Sequence, residues 1–223
     1  MAPRRPLLAS EKAVIASYLE DGGSALVLSE PNSSSDFSEL LRPYGIDIQK
    51  DIILEEVLKM FEGASVGLQP VVKTYSSHPA VLGFEQQTIF STISSVRAKK
   101  VEDQQILAEE IAYTNPSAWT SLDLENIFSE THTVDLPKNE DKRQVPIAVA
   151  SERLEDTLEK NEQADTKKGI GRIIAIGDAD FVANVNIRQL FNRDFFLNSM
   201  NWVLGDSERV TMRARTMLSL IHI

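Results

Sequence analysis

Three runs in this chain are apolar at successive positions: "ALVL" (25–28), "VPIAVA" (145–150) and "IIAI" (173–176). They do not alternate between apolar and polar residues, so neither face of such a strand is meant for water. They read as short strands buried on both faces, as a parallel sheet requires. This feature constrains the fold more than any other, because layers must cover both sides of the sheet.

The first quarter of the chain adds an alternation. Ser10 caps a helix with Val14, Ile15, Tyr18 and Leu19 on one face, and "DGG" (21–23) stops it. "SALVLSE" (24–30) is then a strand, followed by a loop over 31–35. Ser35 or Asp36 caps a second helix with Phe37, Leu40, Leu41 and Tyr44 inward, and Gly45 ends it. "IDIQKDIIL" (46–54) reads as one strand. Helix–strand–helix–strand order predicts an α/β fold whose mostly parallel sheet is flanked by helices. The middle of the chain, with "GLQPVVKTY" (67–75), "QTIFSTISSV" (87–96) and "QILAEEIAYT" (105–114), is a strand-rich segment that extends or flanks that sheet. "SAWTSLDLENIF" (117–128) closes a strand and begins a helix. "RIIAIGD" is the central strand, and "NRDFFLNSMNWVLGD" (192–206) is a helix that Asn192 caps and Gly205 stops.

The expected organisation is a single α/β domain over 1–217, with a mobile polar connector at 153–170. The opening "PRRPLLASEK" enters a helix with no strand before it, which suggests that one or more N-terminal strands precede it. The closing "LSLIHI" (218–223) is what a transposase end sequence used in preparing DNA libraries encodes, so it is read as an adapter-derived tail and His222 is left out of any site.

A net charge of −10 argues against nucleic acid and against docking on anionic lipid, since both need a basic face. The absence of cysteine excludes a thiol nucleophile, a thiolate metal site and disulfides. No run approaches the roughly 18 apolar residues of a membrane span. The glycines Gly169 and Gly171 precede a strand, whereas a dinucleotide fingerprint follows one. His78 and His132 have no carboxylates at metal-ligand spacing, and no Ser-His-Asp set can be assembled.

What remains is "GDADFVAN". Asp178 and Asp180 stand at the carboxyl edge of the central strand, where open α/β sheets hold ligands. Two carboxylates at this spacing suit Mg²⁺ in a metal-assisted hydrolase. Asp194, Asn198 and Asn201 share one face of the following helix and can point back at the 178–184 loop. The same residues equally make turns and caps. The turn reading is preferred, because no second cluster supplies a base, nucleophile or cation. The chain is therefore expected to be non-catalytic, with no cofactor and no metal. Asp178, Asp180, Asn184, Asp194 and Asn198 are the candidate ligand or partner edge.

"IIAIGDADFVAN", "NRDFFLNSMNWVLGD" and "VTMRAR" (210–215), in that order, resemble the GldG-like auxiliary component of ABC-type transport and gliding-motility systems. "YLEDGGSALVLSEP" and "LLRPYGIDI" agree with that family's opening, and "HPAV" and "AYTNPSAW" fall where it has comparable segments. The resemblance implies a class I glutamine-amidotransferase-like or flavodoxin-like domain, without amidotransferase chemistry in a chain lacking cysteine. It implies a soluble domain on the extracytoplasmic (periplasmic) side of a bacterial inner membrane, beside an ABC permease and its ATPase. The membrane would be reached only through segments not in this chain, an N-terminal membrane helix among them. Asp178, Asp180, Phe181, Asn184, Asn192, Asp194, Phe196 and Asn198 match as signature positions, with no catalytic role to carry over. A stand-alone carbohydrate- or peptide-binding domain is the remaining alternative.

Overall fold

A computed structural model describes residues 5–33, 37–59, 63–103, 105–129, 137–138, 141–154 and 171–206. Most of the expected connector (155–170), the 218–223 tail, His132 and both proposed caps, Ser35 and Asp36, lie outside them. The elements in chain order begin with α1 (Ala9–Glu20), β1 (Ala25–Leu28), α2 (Ser38–Leu41), β2 (Ile46–Ile48), β3 (Ile52–Lys59) and β4 (Gly63–Gly67). Then come β5 (Val71–Val72), β6 (Thr74–Tyr75), β7 (Thr88–Ile89), β8 (Val96–Ala98), β9 (Ile106–Tyr113), β10 (Ala118–Ser121) and α3 (Leu124–Ile127). β11 (Pro146–Arg153), β12 (Arg172–Ile176) and α4 (Asn192–Val203) complete the set.

The principal sheet has the order β1-β12-β11-β9-β6. Only β1 and β12 pair in parallel; β12–β11, β11–β9 and β9–β6 are antiparallel. The smaller sheets, β10-β3-β4, β2-β8 and β5-β7, are antiparallel throughout. This corrects the expectation of a mostly parallel α/β sheet of amidotransferase-like or flavodoxin-like type: the chain is strand-rich and its mixed sheet is mostly antiparallel.

The apolar runs are buried on both faces, as read, but burial on two faces does not fix strand direction. Leu26, Leu28, Ala148, Ala150, Ile174 and Ile176 face one core, which α4 helps to close with Phe195, Trp202 and Val203. Ala25, Val27, Val149, Ile173 and Ala175 face the other, under α1 and α2 with Leu19, Leu40 and Leu41. Each fully buried aliphatic side chain contributes about 2 kcal/mol, whichever way its strand runs.

Two local readings also change. "IDIQKDIIL" is two strands in two different sheets, β2 and β3. The break lies at Asp51, a buried carboxylate that accepts from the Ser95 N–H and Oγ–H, both at 2.7 Å. In α1 the chain turns in at Leu8, whose N–H donates to the Glu11 carboxylate at 2.8 Å, so Ser10 lies within the helix rather than capping it. Leu19 is buried, whereas Val14 is 71% and Tyr18 53% exposed, so the inward face lies further round the helix than expected. Gly205 takes the left-handed conformation (φ 77°) just past α4, the expected stop.

Gly177 ends β12 for a different reason. A Cβ there would meet the Ser94 carbonyl oxygen at 2.0 Å, because the Ser94 N–H donates to the Gly177 carbonyl at 3.0 Å and draws the two backbones together. Gly177→Ala is expected to cost about 3 kcal/mol, through displaced backbone rather than lost contacts, read as a lowered urea midpoint at unchanged slope.

Candidate functional site

β1 and β12 run in parallel with Leu28 opposite Ile176. Two residues further on, the same register sets Glu30 beside Asp178. Both strands therefore deliver a carboxyl group to one edge of the sheet.

Asp178 is fully buried. Its Oδ1 accepts from the N–H groups of Asp180 (2.6 Å) and Phe181 (3.2 Å), and its Oδ2 from that of Ser91 (3.0 Å). It thus organises the turn that leads into the 3₁₀ segment Asp180–Val182 and ties that turn to the chain after β7. Phe181, wholly buried, packs on Phe90 at 5.2 Å and Phe195 at 6.1 Å between ring centroids. Asn186 donates to the Asp180 carbonyl and to Ser91 Oγ, both at 2.9 Å, and closes the loop from its far side.

Glu30 was not singled out in the sequence. Its Oε1 accepts from the N–H groups of Ala179 (2.8 Å) and Asp180 (2.9 Å), so the loop after β1 is clamped to the turn after β12. Burial, followed by the neighbouring Glu30 charge, pushes the Asp178 carboxyl up to about 8. Burial, with the Asp180 charge, also raises Glu30. The signal for Glu30 was present: "ALVL-S-E" and "RIIAI-G-D" each place an acid two residues past an apolar strand.

Beside this pair lies a cleft of about 400 Å³. Glu30, Pro31, Asn32 and Ser33 form one part of its wall, Phe37 and Ser38 another, and Ile48, Gln49 and Lys50 a third. The wall is mixed, with hydroxyl, amide and charged groups beside apolar side chains.

The other predicted residues divide. Asp180 is half-buried in the turn itself, and Asn184 is exposed beyond it. Asp194 pairs with its neighbour Arg193 at 3.7 Å. Asn198 is buried, and its Oδ1 has no hydrogen-bond partner among the described residues. Asn192 is the first residue of α4 rather than its cap. Its side chain accepts from the Ile89 N–H and donates to the Ile89 carbonyl, each at 2.9 Å, standing in for a neighbouring strand beside β7. Among the described residues no group of three His, Asp or Glu side chains forms a cluster able to hold a metal ion.

His78 lies elsewhere, not at the edge but under α4. Its Nδ1 accepts from the Ala80 N–H at 3.2 Å, and its ring meets the edge of Trp202 at 4.8 Å. Burial, helped by the Arg172 charge, lowers its pKa to about 4.

Residues 1–201 match the model of a family described as ABC-type uncharacterized transport system. A comparison with curated proteins returned no match. Among solved structures the chain is similar to the mmIFT52 N-terminal domain, with a TM-score of 0.59 and 14% identity over 90% of this chain and 73% of that one. At that identity the likeness shows the fold alone, and the fold it shows is that of the strand-rich, mixed-sheet chain described above.

Two outcomes follow from these contacts. Asn192→Ala strands both backbone groups of Ile89 and is expected to cost about 2 kcal/mol in urea unfolding. His78 binds its proton more weakly folded than unfolded. It is neutral in both states above its ordinary value near 6.5 and costs stability as pH falls from there towards 4, at most about 3 kcal/mol in all. His78→Asn keeps the acceptor for Ala80, does not titrate, and is expected to flatten that slope in urea titrations between pH 7 and pH 4.

Proposed function

Because the chain belongs to the family of ABC-type uncharacterized transport system auxiliary components, we propose that it is a non-catalytic binding module of such a system, of the GldG-like kind. It lies on the extracytoplasmic side of the membrane and engages a partner subunit, the permease or its associated ATPase complex, or a cargo molecule. The observation that carries the reading is the family match over residues 1–201. The binding face is the edge where β1 and β12 end, since the cleft with Glu30, Asn32 and Lys50 opens there. No helix among the described residues is long and apolar enough to cross a membrane, so association with the membrane comes through a partner or through other sequence.

The metal-assisted alternative needs Asp178 and Asp180 open to a cation. Both oxygens of Asp178 are already engaged by three backbone N–H groups, and the side chain is sealed from solvent.

The chain has no cysteine, so one introduced at Asn32 is a unique label within it, and the parent protein without that change gives the background. In intact cells expressing the full gene, Asn32→Cys is expected to react with a membrane-impermeant maleimide. A bifunctional reagent at the same position is expected to cross-link to a membrane subunit of the transporter, whereas a cysteine at exposed Leu82 does not. Labelling only after lysis overturns the location, and equal cross-linking from both positions overturns the binding face.

A further inference from the structure

The carboxyl groups of Glu30 and Asp178 converge on a single N–H. Asp180 donates to Asp178 Oδ1 at 2.6 Å and to Glu30 Oε1 at 2.9 Å, so an oxygen of each carboxyl group lies against the same donor. Two carboxylates offer only acceptors, so carboxyl groups brought this close repel unless one of them carries a proton. A buried pair of this kind titrates as a unit.

The surroundings do not neutralise the pair. The further charge acting on Glu30 is that of Asp180, which is also negative. The polar side chains closing round the turn, Ser91 and Asn186, are uncharged. Lys50, on the connection between β2 and β3, lines the same cleft.

Glu30 is also the first residue of a tight turn. The Ser33 N–H donates to the Glu30 carbonyl at 3.1 Å, and Pro31 follows Glu30. That turn is part of the cleft wall. The backbone is pinned upstream, where the Ser29 N–H donates to the Ile176 carbonyl at 2.9 Å. The Glu30 side chain is therefore the described contact that holds the wall downstream of Ser29 to the turn after β12.

We propose that Glu30 and Asp178 share one proton, and that this proton latches the cleft wall 30–33 onto the 178–181 turn. With the proton in place, the two carboxyl groups attract, Glu30 keeps the N–H groups of Ala179 and Asp180, and the cleft is closed on that side. When the proton leaves to water, both groups are anionic. Asp178 is held by three donors and stays. Glu30, half-buried at the rim, is the one that moves, and the wall goes with it. The binding edge is thus gated by the acidity of the compartment it faces. This rests on the proposed use of that edge for binding.

The test is a nuclear magnetic resonance titration of the chain alone from pH 4 to pH 9, following the two side-chain carboxyl carbons and the amides of Ser91, Ala179 and Asp180. Expected is a common transition of both carboxyls well above the ordinary carboxylate range. With it, exchange of the Ala179 and Asp180 amides rises at least tenfold beyond its intrinsic dependence on pH. Glu30→Gln keeps an acceptor for those amides and a donor for Asp178, mimics the protonated state, and is expected to hold the amides constant throughout. In Asp178→Asn the shared transition is lost and Glu30 titrates alone. Independent transitions of the two carboxyls near pH 4 overturn the proposal, as do amides that respond alike in wild type and Glu30→Gln. No partner enters this titration, so its failure leaves the binding face standing, and failure of the Asn32 cross-link leaves the latch standing.

Discussion

The carboxylate of Asp178 joins three segments that are far apart in sequence. It takes the N–H of Ser91 from the chain after β7 and those of Asp180 and Phe181 from its own turn, while Glu30 from the end of β1 closes against it. Two of these donors, the N–H groups of Ser91 and Phe181, have no other partner among the described residues, and leaving either unpaired costs about 1–3 kcal/mol. The turn so formed drives Phe181 into the aromatic cluster of Phe90 and Phe195, which seats α4 on the sheet. The packing of α4 and the shape of the edge therefore rest on the same group.

That placement depends on the one parallel pairing in the principal sheet. Had β1 paired antiparallel to β12, Glu30 and Asp178 would sit at opposite ends of the pair and neither loop would meet the other. The remaining strands return antiparallel, and the edge owes nothing to their direction. A chain can thus carry the α/β feature of ligand loops at a shared carboxyl edge on a sheet that is otherwise antiparallel.

The doubly buried strands were legible. β1, β11 and β12 fall on the three apolar runs, and β9 and α4 near their expected bounds, because length and hydrophobicity are local signals. Strand direction was not legible, since a strand buried on both faces has the same composition in either orientation. The helix–strand alternation over the first 54 residues was a true local pattern that did not extend to the rest of the chain. At the edge, Asp178 was found and Glu30 missed, because their proximity comes from a register between residues separated by nearly 150 positions. Asn192 misled for a related reason. Its place at the start of a helix pointed to a cap, but the backbone of Ile89, brought alongside in the fold, is the stronger claim on its amide.

By itself the sequence determined where the doubly buried strands lie, that the sheet is covered on both faces, that this chain carries no thiol, and that an acid-bearing turn follows the last strand. These are consequences of side-chain chemistry along short stretches of chain. Only the tertiary structure decided that the sheet is mostly antiparallel, that Glu30 meets Asp178, and that a cleft opens beside them. Each of those depends on which backbone hydrogen bonds form between distant strands, and hydrophobic burial, which drives the collapse, does not distinguish one pairing direction from another.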